Sequence, residues 1–271
     1  MTNEKNMKYA LVTGAYGGMG RATIDILVQE GYCVFALDIR IDDLNSNDNV
    51  IWIRADIISE DALKSAFEMV CSHTNHLDAI LHFAGIYLLD SLVEIDANDF
   101  DRIVSVNLRG AFLVNKIFLP LLNYGSSILM TTSELATLDP LPFTGLYAVT
   151  KAALDKYAYA LRMELQLLGI RVSVLRAGAV ETGMLGTSTD ALDRFCKKTQ
   201  QYSYNAKRFK DIVRRVEARC ISSQKLSAKV IKILNKRRPA FSYSINRNPL
   251  LILLDCLPKR LQLWIIRQIL K

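Results

Sequence analysis

The sequence predicts an α/β fold built on a doubly wound parallel sheet of about seven strands. Three observations lead there. Apolar runs of strand length alternate with amphipathic stretches of helical period. The runs are almost continuously apolar, as strands covered on both faces must be. A glycine cluster stands where the first run hands over to the first helix.

The strand candidates, in order, are KYALVT (8–13), YCVFALD (32–38), VIWIRAD (50–56), DAILHFAG (78–85), SSILMTTS (126–133), IRVSVLRAG (170–178) and AFSYSI (240–245). Between the first two, Ile24, Leu27 and Val28 form a helical stripe, and Gly31 sits where a C-cap glycine belongs. Ser59 reads as an N-cap followed by acidic first-turn residues, and 96–122 and 144–168 are two longer helical candidates. Residues 186–220 form a helical insertion, part of a lid over about 184–220, with a basic amphipathic end at KRFKDIVRRVEAR. The stretch 222–239 reads as a further helix capped by Ser222 or Ser223. No repeat or linker interrupts this series, so 1–248 is expected to be a single Rossmann-type unit followed by an apolar, basic helical tail over 249–271.

Composition narrows the setting. The 271 residues suffice for a sizeable core, and the N-terminus carries no secretory pattern. The five cysteines are scattered and never spaced as C-x-x-C, which suits a reducing compartment; a cytoplasmic protein is expected, peripheral at the cytoplasmic membrane face if its tail binds lipid. Three histidines without a ligand pattern point to no metal. Charge is uneven: residues 1–193 carry a net −10 and 194–271 a net +17, giving the overall +7. No nucleic-acid motif accompanies the basic residues. In the tail, Asp255, Pro258, Lys259 and Arg260 interrupt the apolar run, so it does not read as a spanning helix. Arg260, Arg267 and Lys271 share one helical face while Trp264, Ile265 and Ile269 lie elsewhere, the composition of an interfacial helix. Packing over a substrate mouth or against a second subunit is the alternative.

The turn T-G-A-Y-G-G-M-G (13–20) joins strand to helix. Gly14 permits the tight turn, Gly18 admits an approaching pyrophosphate, and Gly20 allows close helix–sheet packing; Tyr16 and Met19 complete the phosphate turn at the helix N-terminus. Asp38 ends the second strand, where a carboxylate accepts the adenosine ribose hydroxyls and repels a 2′-phosphate. NAD(H) is therefore favoured over NADP(H), with Arg40 the nearby cation that would oppose this.

Tyr147 and Lys151 are spaced i, i+4 and share one helical face. An ammonium beside a phenol is expected to lower its pKa and fit it for proton exchange. Ser133 emerges at the carboxyl end of its strand, where such folds bind ligands.

With these residues in order along one alternating pattern, the chain resembles the short-chain dehydrogenase/reductase family over roughly 8–246. The resemblance implies that Tyr147 is the general acid/base, that Ser133 polarises the substrate oxygen, and that Lys151 also holds the nicotinamide ribose. Asn107, in V-S-V-N-L-R-G, would support a water relaying protons to Lys151. Asp56, in R-A-D-I beside Ile57, would meet the adenine; Ala84, Gly85, Gly178 and Val180 would wall the cofactor, and Thr182 would meet the carboxamide. The sequence departs from the family at two points: N-A-G is here Phe83-Ala84-Gly85, and P-G is Ala177-Gly178. Phe83 is expected to substitute packing for a side-chain hydrogen bond. The spacing of Gly14, Gly17 and Gly20 also fits the larger epimerase/dehydratase branch, but only 93 residues follow Gly178.

Leu135, Leu141, Phe143, Met184 and Leu185 are candidates to line an apolar substrate pocket. The arrangement is similar to the branch holding hydroxysteroid and retinol dehydrogenases. That implies hydride transfer between NAD(H) and a hydrophobic secondary alcohol or ketone such as a steroid, bile acid or retinoid, in a homodimer or homotetramer. The competing readings are a non-catalytic nicotinamide-binding protein whose tail docks a membrane or partner, and a family member acting on a smaller carbonyl or acyl substrate.

Overall fold

The computed structural model describes residues 7–41, 46–181, 183–217 and 220–271, with the side chains of 183–190 and 214–217 outside the description. Its elements in chain order are β1 (Lys8–Thr13), α1 (Gly18–Gln29), β2 (Tyr32–Asp38), β3 (Val50–Arg54), α2 (Glu60–Cys71), β4 (Leu77–His82), α3 (Ala97–Val104), α4 (Gly110–Phe118), β5 (Leu122–Ser133), α5 (Gly145–Leu165), β6 (Arg171–Ala177), β7 (Val180–Glu181), α6 (Gly183–Lys198), α7 (Ser203–Glu217), β8 (Ile221–Ser222), α8 (Ser223–Leu234), β9 (Ser242–Ile245), α9 (Pro249–Asp255) and α10 (Lys259–Leu270). Seven strands form one sheet in the order β3-β2-β1-β4-β5-β6-β9, every neighbouring pair parallel. The order reverses at β1, and the carboxyl ends of β1 and β4 flank that switch point. This is the predicted doubly wound Rossmann-like fold.

The two-residue period of the strands accounts for its three layers. Leu11, Phe35 and Leu37 face a core shared with Leu63 and Val70 of α2, Val114 and Phe118 of α4, and Leu154 and Ala158 of α5. Their neighbours Ala10, Val12, Val34 and Ala36 face the opposite core, with Ile24 and Leu27 of α1 and Leu226 and Val230 of α8. Each such fully buried Leu, Val or Phe contributes about 1.5–3 kcal/mol of transfer free energy. α1 and α8 are also joined through the buried hydroxyls of Thr23 and Ser227, 2.9 Å apart.

Local signals place the helix ends. Ser59 accepts a hydrogen bond from the Ala62 N–H, and Ser222, rather than Ser223, caps α8 by accepting from the Lys225 N–H. Gly31 takes φ +82° just past α1. The helical candidate at 96–122 is α3, a π turn over Ser105–Arg109, α4 and a closing 3-10 turn. The stretch Ala97–Leu121 is apolar and long enough to cross a bilayer, yet Leu113, Val114 and Phe118 are packed in the core. The helical insertion expected at 186–220 is built as two helices, α6 and α7, parted near 199–202, where Glu94 draws the turn onto its carboxylate: Thr199 Oγ1 donates at 2.6 Å, and the N–H groups of Gln200 and Gln201 at 2.9 Å each. Polar claims on the backbone at that turn end the first helix.

A third cluster lies under this lid. Ala191, Leu192 and Phe195 of α6 and Ala206 and Phe209 of α7 pack with Leu89, and Leu270 of α10 joins them. The tail therefore lies against the lid: Asn205 donates to the Leu270 carbonyl at 2.7 Å, and Arg208 donates to the Lys271 carbonyl.

Candidate active site

The site forms at the carboxyl ends of β1, β4, β5 and β6. Gly14, after β1, has φ +67°, and a Cβ there would lie 2.5 Å from the Ala84 nitrogen. A Cβ on Gly20 would lie 2.3 Å from the Gly14 carbonyl oxygen. The turn is thus sterically closed to larger residues, while α1 begins at Gly18 with Gly17 as N-cap, leaving the first-turn N–H groups of Gly18, Met19 and Gly20 facing outward along the helix axis. This cradle fits a pyrophosphate.

Asp38 adjoins it. One carboxylate oxygen accepts from the Tyr16 N–H at 2.9 Å and the other from the Arg40 N–H at 3.0 Å. Over the Tyr16 ring lie two guanidinium groups, Arg21 at 4.1 Å and Arg40 at 5.6 Å from the centroid. Arg21 is a cation that sequence reasoning did not bring to this corner; its place one residue after Gly20 was the available signal. At the end of β3, Asp56 accepts from the Ile58 N–H at 3.1 Å, and Ile57 packs so tightly on Gly110 that a Cβ there would come within 2.5 Å.

The π turn carries Asn107, which is almost fully buried. Its amide spans the backbone of Ile86, Oδ1 accepting from N–H at 2.8 Å and Nδ2 donating to the carbonyl at 3.0 Å, with a further donation to Thr150 Oγ1 at 3.1 Å. A Cβ on Gly85 would stand 3.3 Å from Asn107 Oδ1 and 3.4 Å from Lys151 Nζ, so this glycine holds open a space beside both. On α5, Lys151 donates to the Thr131 carbonyl at 3.3 Å, and its Nζ lies 5.7 Å from the Tyr147 ring centroid. The hydroxyls of Tyr147 and Ser133 are hydrogen-bonded to one another, and Ser133 Oγ also accepts from the Leu135 N–H at 3.2 Å. Asn107, Ser133, Tyr147 and Lys151 thus converge.

The electrostatics differ from the sequence expectation. Burial pushes the Tyr147 phenol up to about 12, with the Ser133 hydrogen bond opposing, and burial pushes Lys151 down to about 8. The expected lowering of the phenol by Lys151 is not seen because desolvation penalises both charged forms. At neutral pH the pair is a phenol backed by an ammonium.

Two neighbours were missed by sequence reasoning. Tyr87 stands edge-on to Tyr147 with ring centroids 4.8 Å apart, and packs onto the lid cluster. Glu134, next to Ser133, is buried, and its carboxylate accepts from the Asn248 N–H at 2.7 Å; burial holds its pKa above the usual carboxylate range. Tyr87 follows Gly85 by two residues, which was its signal; Glu134 had none beyond adjacency.

Of the substrate candidates, Leu141 and Phe143 pack onto the lid cluster, the Phe143 ring lying 4.6 Å from Phe195, 5.4 Å from Tyr202 and 5.5 Å from Phe209. Phe143 adopts φ +68°, costly for a bulky residue. Leu135 is half-buried beside Ser133. Thr182 and the side chains of Met184 and Leu185 lie outside the described residues. Val180 is buried and pairs with Ile221, and a Cβ on Gly178 would fall 1.9 Å from the Asn246 carbonyl oxygen. Phe83 is buried against the α1/α8 core, and Thr13 Oγ1, in the neighbouring strand, is buried without a hydrogen-bond partner. Among the described residues no cluster of three or more His, Cys, Asp or Glu is placed to hold a metal.

A glycine turn at a helix N-terminus, a carboxylate at the end of β2 and a Ser–Tyr–Lys group on a doubly wound sheet match the arrangement expected of a nicotinamide-dependent oxidoreductase. Residues 8–193 match the short chain dehydrogenase family, and the chain belongs to it. Among its relatives, versicolorin reductase of Emericella nidulans is 29% identical over 75% of this chain and 77% of that protein. NADPH-dependent 1-acyldihydroxyacetone phosphate reductase of Schizosaccharomyces pombe is 28% identical over 68% of this chain and 65% of its own length. Estradiol 17-beta-dehydrogenase 2 of Rattus norvegicus is 28% identical over 72% and 56%. In fold, a short chain dehydrogenase family protein from Francisella tularensis superposes with a TM-score of 0.73 at 21% identity, covering 88% of this chain and 97% of that one. The 3-ketoacyl-(acyl-carrier-protein) reductase of Brucella melitensis, complexed with NADH, gives 0.70 at 22%, covering 88% and 96%. The protein is an oxidoreductase of a family that binds NAD(P)(H).

Proposed function

We propose that the protein interconverts a hydrophobic secondary alcohol and its ketone with NAD(H), a steroid, bile acid or retinoid being the favoured class. The observation that carries this reading is the Ser133–Tyr147 hydroxyl pair backed by the buried Lys151. The nicotinamide cofactor supplies or accepts the hydride. The chain's own groups handle the oxygen. Ser133 orients the substrate oxygen, and Tyr147, protonated at neutral pH, gives its phenol proton to that oxygen during reduction and takes one back during oxidation. Lys151 offsets the charge on the phenolate that forms. Asn107 braces Ile86 and Thr150 around the space beside Lys151, through which the proton is replaced.

Asp38 supports NAD(H), since its carboxylate disfavours a 2′-phosphate at the strand end. The apolar side chains of the lid cluster support a hydrophobic substrate. Exposed Phe112 on α4 and Val149, Tyr159 and Met163 on α5 support a homodimer or homotetramer, and five free cysteines suit a reducing cytoplasm.

Nicotinamide absorbance, followed with NADH and NADPH against steroid, bile-acid, retinoid and short-chain carbonyls, tests the substrate and cofactor classes together. Tyr147→Phe is expected to abolish turnover while retaining NADH binding. Turnover that persists in this variant overturns the catalytic assignment.

A further inference from the structure

We infer that the outward face of α9 and α10 docks on an anionic lipid bilayer and holds the loop that follows Ser133 at that surface. α10 has two distinct faces. Gln262 and Leu270 are buried and Ile266 packs on the lid cluster, so positions i, i+4 and i+8 form its inner stripe. Leu261 and Trp264 lie on the far side and are 41% and 58% exposed. Beside this apolar ridge stand Arg260, Arg267 and Lys271. In α9, Leu250 and Leu253 are 61% and 62% exposed. An outward ridge of Trp and Leu flanked by arginine is the arrangement that lies in the headgroup region of a bilayer.

Charge selects the occupant. The only acidic residue over 249–271 is Asp255, and its carboxylate is engaged by the Asp139 N–H at 2.9 Å. Lys259 is paired with Asp139, whereas Arg260 and Arg267 form no ion pair among the described residues. The tail 249–271 carries a net +3, which favours anionic headgroups. A neutral apolar partner would leave those arginines unmatched.

The docked face is tied to the active site by hydrogen bonds. Asn248, at the start of α9, donates its N–H to Glu134, the neighbour of Ser133. Asp255 and Lys259 both engage Asp139 on the segment between Ser133 and Tyr147. Bilayer contact therefore sets the active-site loop close to a pool of apolar molecules. This last step rests on the proposed hydrophobic substrate; the docking itself does not.

Flotation of the full chain with vesicles is the test. Binding is expected with an equimolar mixture of phosphatidylcholine and phosphatidylglycerol and is expected to be weak with phosphatidylcholine alone. Leu261→Glu combined with Trp264→Glu is expected to lower partition about tenfold or more, with turnover of a water-soluble ketone unchanged. Trp264→Phe is expected to retain flotation while losing the lipid-dependent blue shift of tryptophan fluorescence, which reads the face without relying on the charged variant's folding. Absence of flotation of the intact chain with the mixed vesicles, or equal flotation of the double Glu variant, overturns the proposal. So does a dimer in sedimentation that dissociates in that variant while no flotation occurs, since the face would then belong to a second copy. Normal flotation with no turnover of any apolar ketone would leave the docking standing and overturn the substrate reading instead.

Discussion

The ring of Tyr87 stands edge-on to that of Tyr147, with centroids 4.8 Å apart and planes inclined by 66°. The catalytic candidate is thereby walled by an aromatic side chain that also packs into the lid cluster. An edge-to-face pair of this kind is worth about 0.5–1.5 kcal/mol beyond its buried area. Tyr87→Ala is expected to lower kcat/KM for a bulky apolar ketone about tenfold while the Kd for NADH stays the same. Steady-state kinetics alongside NADH titration check this; an unchanged kcat/KM would remove Tyr87 from the substrate wall.

At the other end of the cofactor cradle, Asp38 opposes the two cations stacked on Tyr16. Asp38→Ser keeps a hydroxyl acceptor for the Tyr16 N–H but removes the negative charge, leaving Arg21 and Arg40 free to receive a 2′-phosphate. The ratio of kcat/KM for NADPH over NADH is expected to rise by about tenfold or more. A ratio that does not move would show that Asp38 has no part in the choice.

Burial sets a pH limit on reduction. Lys151, held down to about 8, is an ammonium below that pH and a neutral amine above it. Carbonyl reduction needs the ammonium against the developing phenolate, so kcat/KM is expected to be level below about pH 8 and to fall about tenfold per pH unit above it. Lys151→Arg, whose guanidinium stays charged, is expected to move the falling limb out of the measurable range even if it lowers the plateau. A limb that stays in place in this variant assigns it to another group.

His82 makes the fold acid-sensitive. Its ring Nε2 lies 2.9 Å from the Asn115 side-chain oxygen in the core, and burial lowers its pKa to about 4 from an ordinary 6.5. The unfolded chain therefore takes up a proton that the folded chain refuses between those values. The stability contribution is complete above 6.5 and is lost as pH falls through 4, up to roughly 3 kcal/mol. Urea denaturation near pH 7 and near pH 4.5 should show this loss, and His82→Gln should flatten it.

Thr13 offers a gain. Its hydroxyl oxygen is fully buried without a hydrogen-bond partner, in the strand beside Phe83, where the family has an asparagine. Thr13→Val keeps the shape and discards the unpaired hydroxyl, and is expected to raise unfolding free energy by about 1 kcal/mol. Chemical denaturation of the two proteins decides it.

The doubly wound sheet was readable because parallel strands covered on both faces need unbroken apolar runs, and Leu11 and Val12 show each face claiming alternate residues. Ser133, Tyr147 and Lys151 were readable because an i, i+4 pair on a helix and a strand-end serine are local patterns. Arg21 lies one turn from the Tyr16 it stacks on and was legible in principle, whereas the contacts of Tyr87 with Tyr147 and of Glu134 with Asn248 join segments distant in sequence, which no spacing encodes. The protonation of Tyr147 escaped for the same reason. A neighbouring lysine is visible in sequence, whereas the desolvation that outweighs it exists only once the chain has closed around both groups. The lid's break near 199–202 likewise depends on Glu94, about a hundred residues upstream.

The hydrogen bond from Asn248 to Glu134 bears on how the protein is handled. Cutting the chain ahead of Asn248 would strand the buried Glu134 carboxylate, next to Ser133 in sequence, without that backbone donor, and its pKa, already raised by burial, would rise further. A protein shortened there would disturb the residue next to Ser133, whatever the tail itself binds. An affinity tag fused after Lys271 would crowd the carbonyl that Arg208 now grips.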